Sequence, residues 1–382
     1  MAIDLQTVPK EKQTYAMCLD SVQADWGQLA FVREDLQTNN LCLCAIIQDA
    51  DALQYVQNQT PELCMEAIKK SASALQYVKD QTREICLKAV RKAGWALQYV
   101  REQTPEICLT AVKRDGWAIR YVKEQTPELC LAAVNYSGFT ILHIKDQTPE
   151  LCLAAVKRHG DAIQYIEKQT PELCLAAVRQ NGHALSFVQN QTPEICLAAV
   201  RQDGYALAHV KEQTPELCLE AVKGIGGALK YVKDQTPEIC HAAVKYDSSA
   251  IQYVKNQTHE ICQAAVRANA FTIKYMTNQT PELCLEAVKK DGLALKHVDN
   301  KTHEICLEAV KQNGMALKHV PRSIQTLPIA IAALKQNPEC RKYLAVKFQK
   351  PEVYKAAGCD YELEDLAPSR TSTERERTEI RH

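Results

Sequence analysis

Apolar and polar positions recur along most of the chain in blocks of 22 residues. In one block, residues 105–114 (PEICLTAVKR) are apolar at their third, fourth, seventh and eighth positions, which is the spacing of one face of an α-helix. Residues 117–124 (WAIRYVKE) place Ala118, Ile119 and Val122 on a second stripe at helical spacing. Each block therefore predicts two short helices.

Capping residues mark the ends of these predicted helices. Thr104 is a favourable N-cap, Pro105 suits the first helical position, and the glutamate that follows lies where the helix dipole favours negative charge. Nine blocks carry glycine after the first helix, and the others carry alanine or serine. We expect Gly116 to adopt the left-handed conformation that often ends a helix. The Gln-Thr pair of the next block ends the second helix.

The motif that opens each block, QTPELC or a variant, sets the number of repeats. Eleven copies begin at 22-residue intervals from Gln59 to Gln279, and KTHEIC continues the series at Lys301. Weaker copies begin at Gln37 and Gln13, so the cysteine column has 14 members. A block of this size cannot bury its apolar face alone, so neighbouring blocks must stack. The predicted fold is an all-α solenoid of about 14 two-helix repeats with helical caps.

The repeat register predicts four segments. Residues 1–36 read as an N-terminal cap with a degenerate repeat, and residues 37–320 as the tandem helical array. After Val320 the register slips by two residues, so residues 321–361 read as a helical C-terminal cap. Residues 362–382 are polar and charged, and we expect them to be disordered.

The repeated core, [QK]T[PH]E[IL]C-x-x-AV followed by glycine and A[LI]-x-[YH]V, resembles a family of tandem helical repeats of unknown function. That family occurs in intracellular bacteria and large DNA viruses. The resemblance covers about residues 37–320 and implies an all-helical solenoid. It also implies a role as an interaction module or a host-directed protein, including delivery into a host cell. It implies no catalytic residues.

Composition and charge narrow the functional classes. The chain has 382 residues, of which 46% are hydrophobic, and this content argues against wholesale disorder. It carries 46 basic and 46 acidic side chains, so bulk charge does not favour binding to nucleic acid or to an anionic membrane. The N-terminus lacks the pattern of a signal peptide, and no apolar run is long enough for a membrane span. We therefore expect a cytoplasmic protein that does not contact membranes.

The cysteine column, from Cys18 to Cys306, invites a metal or disulfide interpretation. Equivalent positions on neighbouring helices lie ~8–10 Å apart, which is too far for a disulfide or for shared zinc ligands. The column also lies on the apolar stripe, where a free cysteine packs as a small hydrophobic residue. We predict a role in core packing, with no metal site and no cofactor.

Charged and histidine columns have similarly simple explanations. Glutamates gather at the start of each first helix and lysines or arginines at its end, as the helix dipole favours. Most of the ten histidines replace a repeat tyrosine or proline. No nucleophile, paired-carboxylate or phosphate-loop motif stands apart from the repeat, so we predict no enzymatic activity and no small-molecule substrate.

The second helix carries the most informative positions. The columns of Trp117 and Arg120 vary from repeat to repeat while their neighbours barely change. These two columns and the adjoining Tyr121 column form what we call the variable face. Aromatic side chains in successive repeats usually mark an interaction site, although the rings could instead cover the joint between repeats. The candidate partner-binding residues are Trp95, Gln98, Tyr99, Trp117, Arg120, Tyr121, Phe139, His143, Tyr205 and Phe271.

Three functional hypotheses follow. The first is a non-enzymatic scaffold that binds a protein or peptide along the variable face. The alternative is a single-stranded RNA-binding protein in which each repeat stacks one base. The third is an enzyme whose site lies in the caps. RNA binding should weaken steeply with salt, whereas an aromatic-anchored protein contact should not.

Overall fold

A computed structural model of the chain describes residues 3–359. These residues form α-helices and 3₁₀ helices without a β-strand, and none of these helices is long and apolar enough to cross a membrane. The chain divides into two compact units between Gln202 and Asp203. Within each unit, successive α-helices pack on one another and on the adjoining 3₁₀ helices, which confirms the predicted α-solenoid. The segment predicted to be disordered, residues 362–382, lies outside the described residues.

The α-helices supply the first element of each repeat. They are α1 (Tyr15–Ala24), α2 (Asn39–Gln48), α3 (Pro61–Lys70), α4 (Arg83–Lys92), α5 (Pro105–Arg114), α6 (Pro127–Tyr136), α7 (Pro149–Arg158), α8 (Pro171–Gln180), α9 (Pro193–Gln202), α10 (Pro215–Gly224), α11 (Pro237–Tyr246), α12 (His259–Ala268), α13 (Pro281–Lys290), α14 (His303–Gln312), α15 (Leu327–Gln336) and α16 (Pro351–Ala356).

The 3₁₀ helices supply the second element and several short turns. They are Leu5–Thr7, Lys10–Lys12, Trp26–Phe31, Glu34–Leu36, Ala50–Tyr55, Ala72–Tyr77, Gly94–Tyr99, Gly116–Tyr121, Gly138–His143, Gly160–Tyr165, Gly182–Phe187, Gly204–His209, Gly226–Tyr231, Ser248–Tyr253, Ala270–Tyr275, Gly292–His297, Gly314–His319, Pro338–Tyr343 and Val346–Phe348.

The first helix of the repeat forms where the sequence predicts it. α5 begins at Pro105, directly after Thr104, whose hydroxyl accepts a hydrogen bond from the N–H of Ile107 at 3.4 Å. That bond satisfies one of the free N–H groups of the first turn. The predicted apolar stripe is buried, since Ile107, Cys108 and the alanine and valine that follow are at most 4% exposed.

The predicted second helix over residues 117–124 is wrong in type and length. It is a six-residue 3₁₀ helix, Gly116–Tyr121, and Val122 beyond it has an extended backbone. The carbonyl oxygen of Ile119 accepts the N–H of Val122 at 3.1 Å and the side-chain amide of Gln125 at 3.3 Å. The glutamine side chain therefore occupies an acceptor near the end of the helix, and the chain turns directly to the next repeat.

The predicted left-handed conformation of Gly116 is also wrong, because Gly358 is the only described glycine with a positive φ. Asp115 ends α5 instead, with an extended backbone, and its carboxylate accepts the N–H of Trp117 at 3.0 Å. Glycine is favoured here by close packing. A Cβ atom added to Gly116 would lie 2.7 Å from the Cβ of Tyr136 in the next repeat.

In most repeats the glutamine that opens the repeat bridges the two 3₁₀ helices on either side of its α-helix. Gln81 Nε2 donates to the carbonyl oxygens of Leu75 at 3.1 Å and of Tyr99 at 2.9 Å. Its Oε1 accepts the N–H of Arg101 at 2.9 Å. We call the glutamines that make all three bonds the glutamine ladder: Gln37, Gln59, Gln81, Gln125, Gln147, Gln169, Gln213, Gln235, Gln257 and Gln279.

The bridging geometry continues into the segments predicted as caps. Gln13 and Gln325 each donate to a carbonyl oxygen 18 residues later, at 2.9 and 3.1 Å. They accept a backbone N–H 20 residues later, at 2.9 and 2.7 Å. α1 and α15 therefore belong to helix pairs of the repeat type. The steps from Gln13 to Gln37 and from Lys301 to Gln325 are 24 residues, two longer than the internal steps.

Candidate functional site

The variable face lies on the 3₁₀ helices, and its aromatic side chains are half-buried. Apart from the exposed His183 and Phe187, this applies to the rings at the Trp117 column, which follows the first residue of each 3₁₀ helix, and to those at the Tyr121 column, which ends it. The side chains of Gln98 and Arg120 are exposed. The half-buried candidates are Trp95, Tyr99, Trp117, Tyr121, Phe139, His143, Tyr205 and Phe271.

Two tryptophans of the N-terminal unit have different ring partners. Trp95 meets Tyr99 of its own 3₁₀ helix edge to face, with ring centroids 6.2 Å apart. Trp117 meets His143 of the next repeat edge to face, with centroids 5.7 Å apart. Among the described residues, no ring contact joins Trp95 to Trp117. The structure therefore places the two rings in successive repeats without stacking them on each other.

Phe139 continues this series and reaches further into the next repeat. It stacks on His159 at 4.8 Å between centroids and meets Tyr165 edge to face at 6.3 Å. A ring of the Trp117 column can thus contact the Tyr121 column one repeat later, which is the joint between repeats. Two pairs in the C-terminal unit share this geometry: Tyr205 with Tyr231 at 6.1 Å, and Phe271 with His297 at 6.2 Å.

Polar and charged groups border the rings of the N-terminal unit. The guanidinium of Arg120 lies 4.7 Å from the ring centroid of Tyr121, within range of a cation–π contact. Burial and, to a smaller extent, the charge of Arg120 lower the pKa of His143. The imidazole is therefore neutral at pH 7 and packs on Trp117 as an uncharged ring. This arrangement offers apolar ring surface beside one fixed cation, and partner binding at these residues stays a prediction.

The cysteine column is buried, as predicted, in all 14 repeats that carry it. All 17 cysteines of the chain are free thiols. Burial raises the pKa of the column thiols, to about 11 at Cys42 and at Cys306. The thiol of Cys108 lies 3.7 Å from the side-chain oxygen of Gln103, the first residue of its repeat. Such thiols are poor nucleophiles at neutral pH, because the reactive form is the thiolate.

Replacing one interior member, Cys174→Ala, should lower the free energy of unfolding by about 1 kcal/mol, the scale of a small core truncation. In the native protein a thiol reagent at pH 8 should label the column slowly, since burial keeps these thiols protonated. In denaturant without reductant, all 17 thiols should be labelled. Stoichiometric zinc in the purified protein, or thiols that stay unreactive in denaturant, would contradict the packing role.

A cavity of about 1010 Å³ opens beside the start of α7 and α8 in the N-terminal unit. Its charged lining is mixed, since Lys145 and Lys168 are accompanied by Glu150 and Glu172. The cysteine in its wall, Cys152, is 3% exposed, and burial raises the pKa of its thiol. Residues 3–359 also contain no cluster of three or more His, Cys, Asp and Glu side chains that could hold a metal ion. The thiol in the cavity wall is therefore not an activated nucleophile.

Two rows of residues escaped the sequence analysis. The glutamine ladder could have been noticed, because a helix cap needs the threonine but gives no reason for a glutamine before it in every repeat except the one that begins at Lys301. The second row is apolar and lies on the outer surface of the α-helices, with exposed fractions from 5% at Leu87 to 46% at Leu131. Its members are Leu43, Met65, Leu87, Leu109, Leu131, Leu153, Leu175, Leu197, Leu219, Leu285 and Leu307.

Comparison with known families supports the repeat assignment. Four segments of the chain match the model of a family described as Domain of unknown function (DUF4116), at residues 60–104, 148–191, 280–325 and 302–349. Each match is about two repeats long, which agrees with the 22-residue period. The predicted resemblance to a repeat family of unknown function is thus confirmed in these segments. No curated protein matches the chain.

Proposed function

We propose that the chain is a non-enzymatic α-solenoid scaffold that binds a protein or peptide through its variable face. The observation that carries the proposal is the pair Trp95 and Trp117, which remain half-exposed on neighbouring 3₁₀ helices. The same column holds Asp51 and Ser73 in the two preceding repeats, where the 3₁₀ helix forms equally well. The fold therefore does not require a ring at this column, and binding gives a reason for one.

The chemistry of the surrounding residues suits a protein partner. Half-buried tryptophan and tyrosine rings present rigid apolar area, and such anchors commonly contribute ~2 kcal/mol or more each to binding. The exposed Gln98 and the Arg120 guanidinium beside Tyr121 supply hydrogen-bond donors at the margin of that area. This combination of a central aromatic group with a polar margin is typical of protein interfaces.

The test is the double variant Trp95→Ala with Trp117→Ala in the full chain. A partner is captured from a lysate in the presence of nuclease, identified and purified, and its affinity is then measured by titration. We expect at least a ~30-fold loss of affinity, the equivalent of one anchor of ~2 kcal/mol. Helicity and melting temperature should stay close to those of the parent chain, since other repeats fold without a ring in this column.

The matched control is Lys113→Ala with Lys157→Ala, two exposed lysines at the ends of α5 and α7. This variant should bind the partner as the parent does. If the tryptophan variant unfolds, the rings serve joint packing and the proposal fails. If capture is abolished by nuclease and falls steeply with salt, the RNA-binding alternative replaces the protein-binding one.

A further inference from the structure

The Arg120 column changes character in the C-terminal unit. In the N-terminal unit it is mostly neutral, with glutamine in four of its eight repeats and arginine in one. In the C-terminal unit exposed lysines dominate it, and Gln252 interrupts them. We call these lysines the lysine row: Lys230, Lys274, Lys296, Lys318 and Lys342.

No acidic side chain neutralises the lysine row among the described residues, where none of its members forms an ion pair. The Trp117 column beside it contains no acid from Tyr205 to Met315, and Glu339 is its one acidic member in this unit. The carboxylates of Asp247 and Asp291 cap 3₁₀ helices of this unit, each accepting a backbone N–H at 2.9 Å, and the structure pairs neither with a lysine of the row. The row is therefore a series of exposed ammonium groups that have no carboxylate partner among the described residues.

The pKa values of the histidines next to the lysine row are lowered in part by the positive charges of the row. Burial, followed by the charges of Lys296 and Lys274, lowers the pKa of His297. Burial, followed by Lys318 and Lys296, lowers the pKa of His319. Lysines of neighbouring repeats thus act on one ring, and an incoming anion would meet more than one ammonium group at a time.

An ammonium group lies over one face of three tyrosine rings beside the row, those of Tyr231, Tyr275 and Tyr343. The ammonium of Lys230 lies 4.5 Å from the ring centroid of Tyr231, and that of Lys274 lies 4.4 Å from the centroid of Tyr275. Tyr231 is also met edge to face by Tyr205 of the preceding repeat. A nucleic-acid base needs an open ring face on which to stack, whereas a carboxylate needs only an accessible ammonium group. The geometry therefore favours carboxylates over bases.

We propose that the lysine row binds an acidic, extended protein segment through lysine–carboxylate pairs. Neighbouring helices lie ~8–10 Å apart. An extended chain in the polyproline II conformation advances ~3.1 Å per residue with three residues per turn, so carboxylates at every third residue lie on one face and match one lysine per repeat. This inference rests on the proposed function, since it assigns the chemistry of a partner to the C-terminal part of the same variable face.

The test uses full-length protein and a fluorescein-labelled 15-residue peptide, five repeats of Ser-Ser-Glu, followed by fluorescence anisotropy. A peptide with glutamine in place of glutamate and an oligouridine carrying five phosphate charges serve as competing probes. The parent chain should bind the glutamate peptide at least 10-fold more tightly than either competitor. The variant K274E/K296E/K318E should lose at least 10-fold in affinity for the glutamate peptide.

The matched control is K223E/K245E/K289E, which makes the same change in net charge at exposed lysines of α10, α11 and α13. It should bind the glutamate peptide within two-fold of the parent. Equal losses of peptide affinity in the two variants would show that only the net charge of the protein matters, and this would overturn the proposal. Tighter binding of the oligouridine would overturn it in favour of single-stranded RNA, and absence of peptide binding would overturn it outright.

The tryptophan variant separates this inference from the proposed function. Trp95→Ala with Trp117→Ala lies in the N-terminal unit and should bind the glutamate peptide as the parent does. If the tryptophan variant binds the captured partner as the parent does while the lysine variant loses affinity for the peptide, the proposed function is wrong and the acidic-segment site is supported. If the tryptophan variant loses affinity for the partner while the parent does not bind the peptide, the proposed function is supported and the acidic-segment site is wrong.

Discussion

Gln81→Ala should lower the free energy of unfolding of the N-terminal unit by about 2–4 kcal/mol, although it removes only an amide at a half-buried position. The side chain of Gln81 satisfies the carbonyl oxygens of Leu75 and Tyr99 and the N–H of Arg101. Alanine removes the side-chain partner of all three groups, of which the carbonyl oxygen of Leu75 keeps the N–H of Val78. Each of the two part-buried bonds that are lost costs about 1–3 kcal/mol. Chemical denaturation followed by circular dichroism measures the change.

Gln76→Ala is the matched control, because Gln76 is exposed on the neighbouring 3₁₀ helix and the structure assigns it no hydrogen bond. An exposed substitution of this kind should change the free energy of unfolding by no more than about 0.5 kcal/mol. Equal effects of the two substitutions would show that the glutamine ladder contributes nothing beyond helix propensity.

The sequence contains its own substitution in the ladder column. Lys301 stands there in place of glutamine and donates to the carbonyl oxygen of Val298. The backbone group that a glutamine at this position would accept from belongs to the residue 20 places later, which is Pro321. Proline has no N–H, so the acceptor oxygen of a glutamine would have no donor there. The lysine therefore stands at a position where a glutamine could not form the third bond of the ladder, the one from a backbone N–H 20 residues later.

The α-helices could be predicted from sequence because their signals are local. Thr104 and Pro105 fix the start of α5, and the apolar spacing fixes its buried face. The burial of the cysteine column follows from the same stripe. The 3₁₀ helices could not be distinguished from α-helices, because a segment of six residues contains no more than about two turns of either and the apolar pairs fit both periods.

The contacts of the candidate site lay beyond the reach of sequence patterns. Trp117 was placed on the variable face by its column alone, yet its ring partner is His143, 26 positions later and on another repeat. Whether the ring is exposed for binding a partner or covers the joint between two repeats depends on that distant contact. The structure combines the two, since the ring contacts the next repeat and still keeps part of its surface exposed. The lysine row needed the same knowledge, because only the ring contacts show that ammonium groups lie over the neighbouring rings.

Deleting one whole repeat, residues 103–124, should leave a folded and highly helical protein. The partners of Gln125 lie 6 residues before it and 18 and 20 residues after it. Removing 22 residues brings Leu97 to the place of Ile119, so every bond of the ladder can form again. Stability should fall only by the contribution of one repeat and its interface, since repeats contact their nearest neighbours. Circular dichroism should give a mean residue helicity within about 10% of that of the parent.

Deleting half a repeat, residues 103–113, should be far more damaging because it removes α5 and keeps its 3₁₀ partner. The apolar face of Gly116–Tyr121 would lose the helix on which it packs, and the N–H of Lys123 would lose its bond to the side chain of Gln103. We expect a large loss of helicity and aggregation, measured by circular dichroism and size-exclusion chromatography. If the half-repeat deletion remained monomeric and helical while the whole-repeat deletion aggregated, stability would not be organised repeat by repeat, and the solenoid interpretation of the 22-residue period would be wrong.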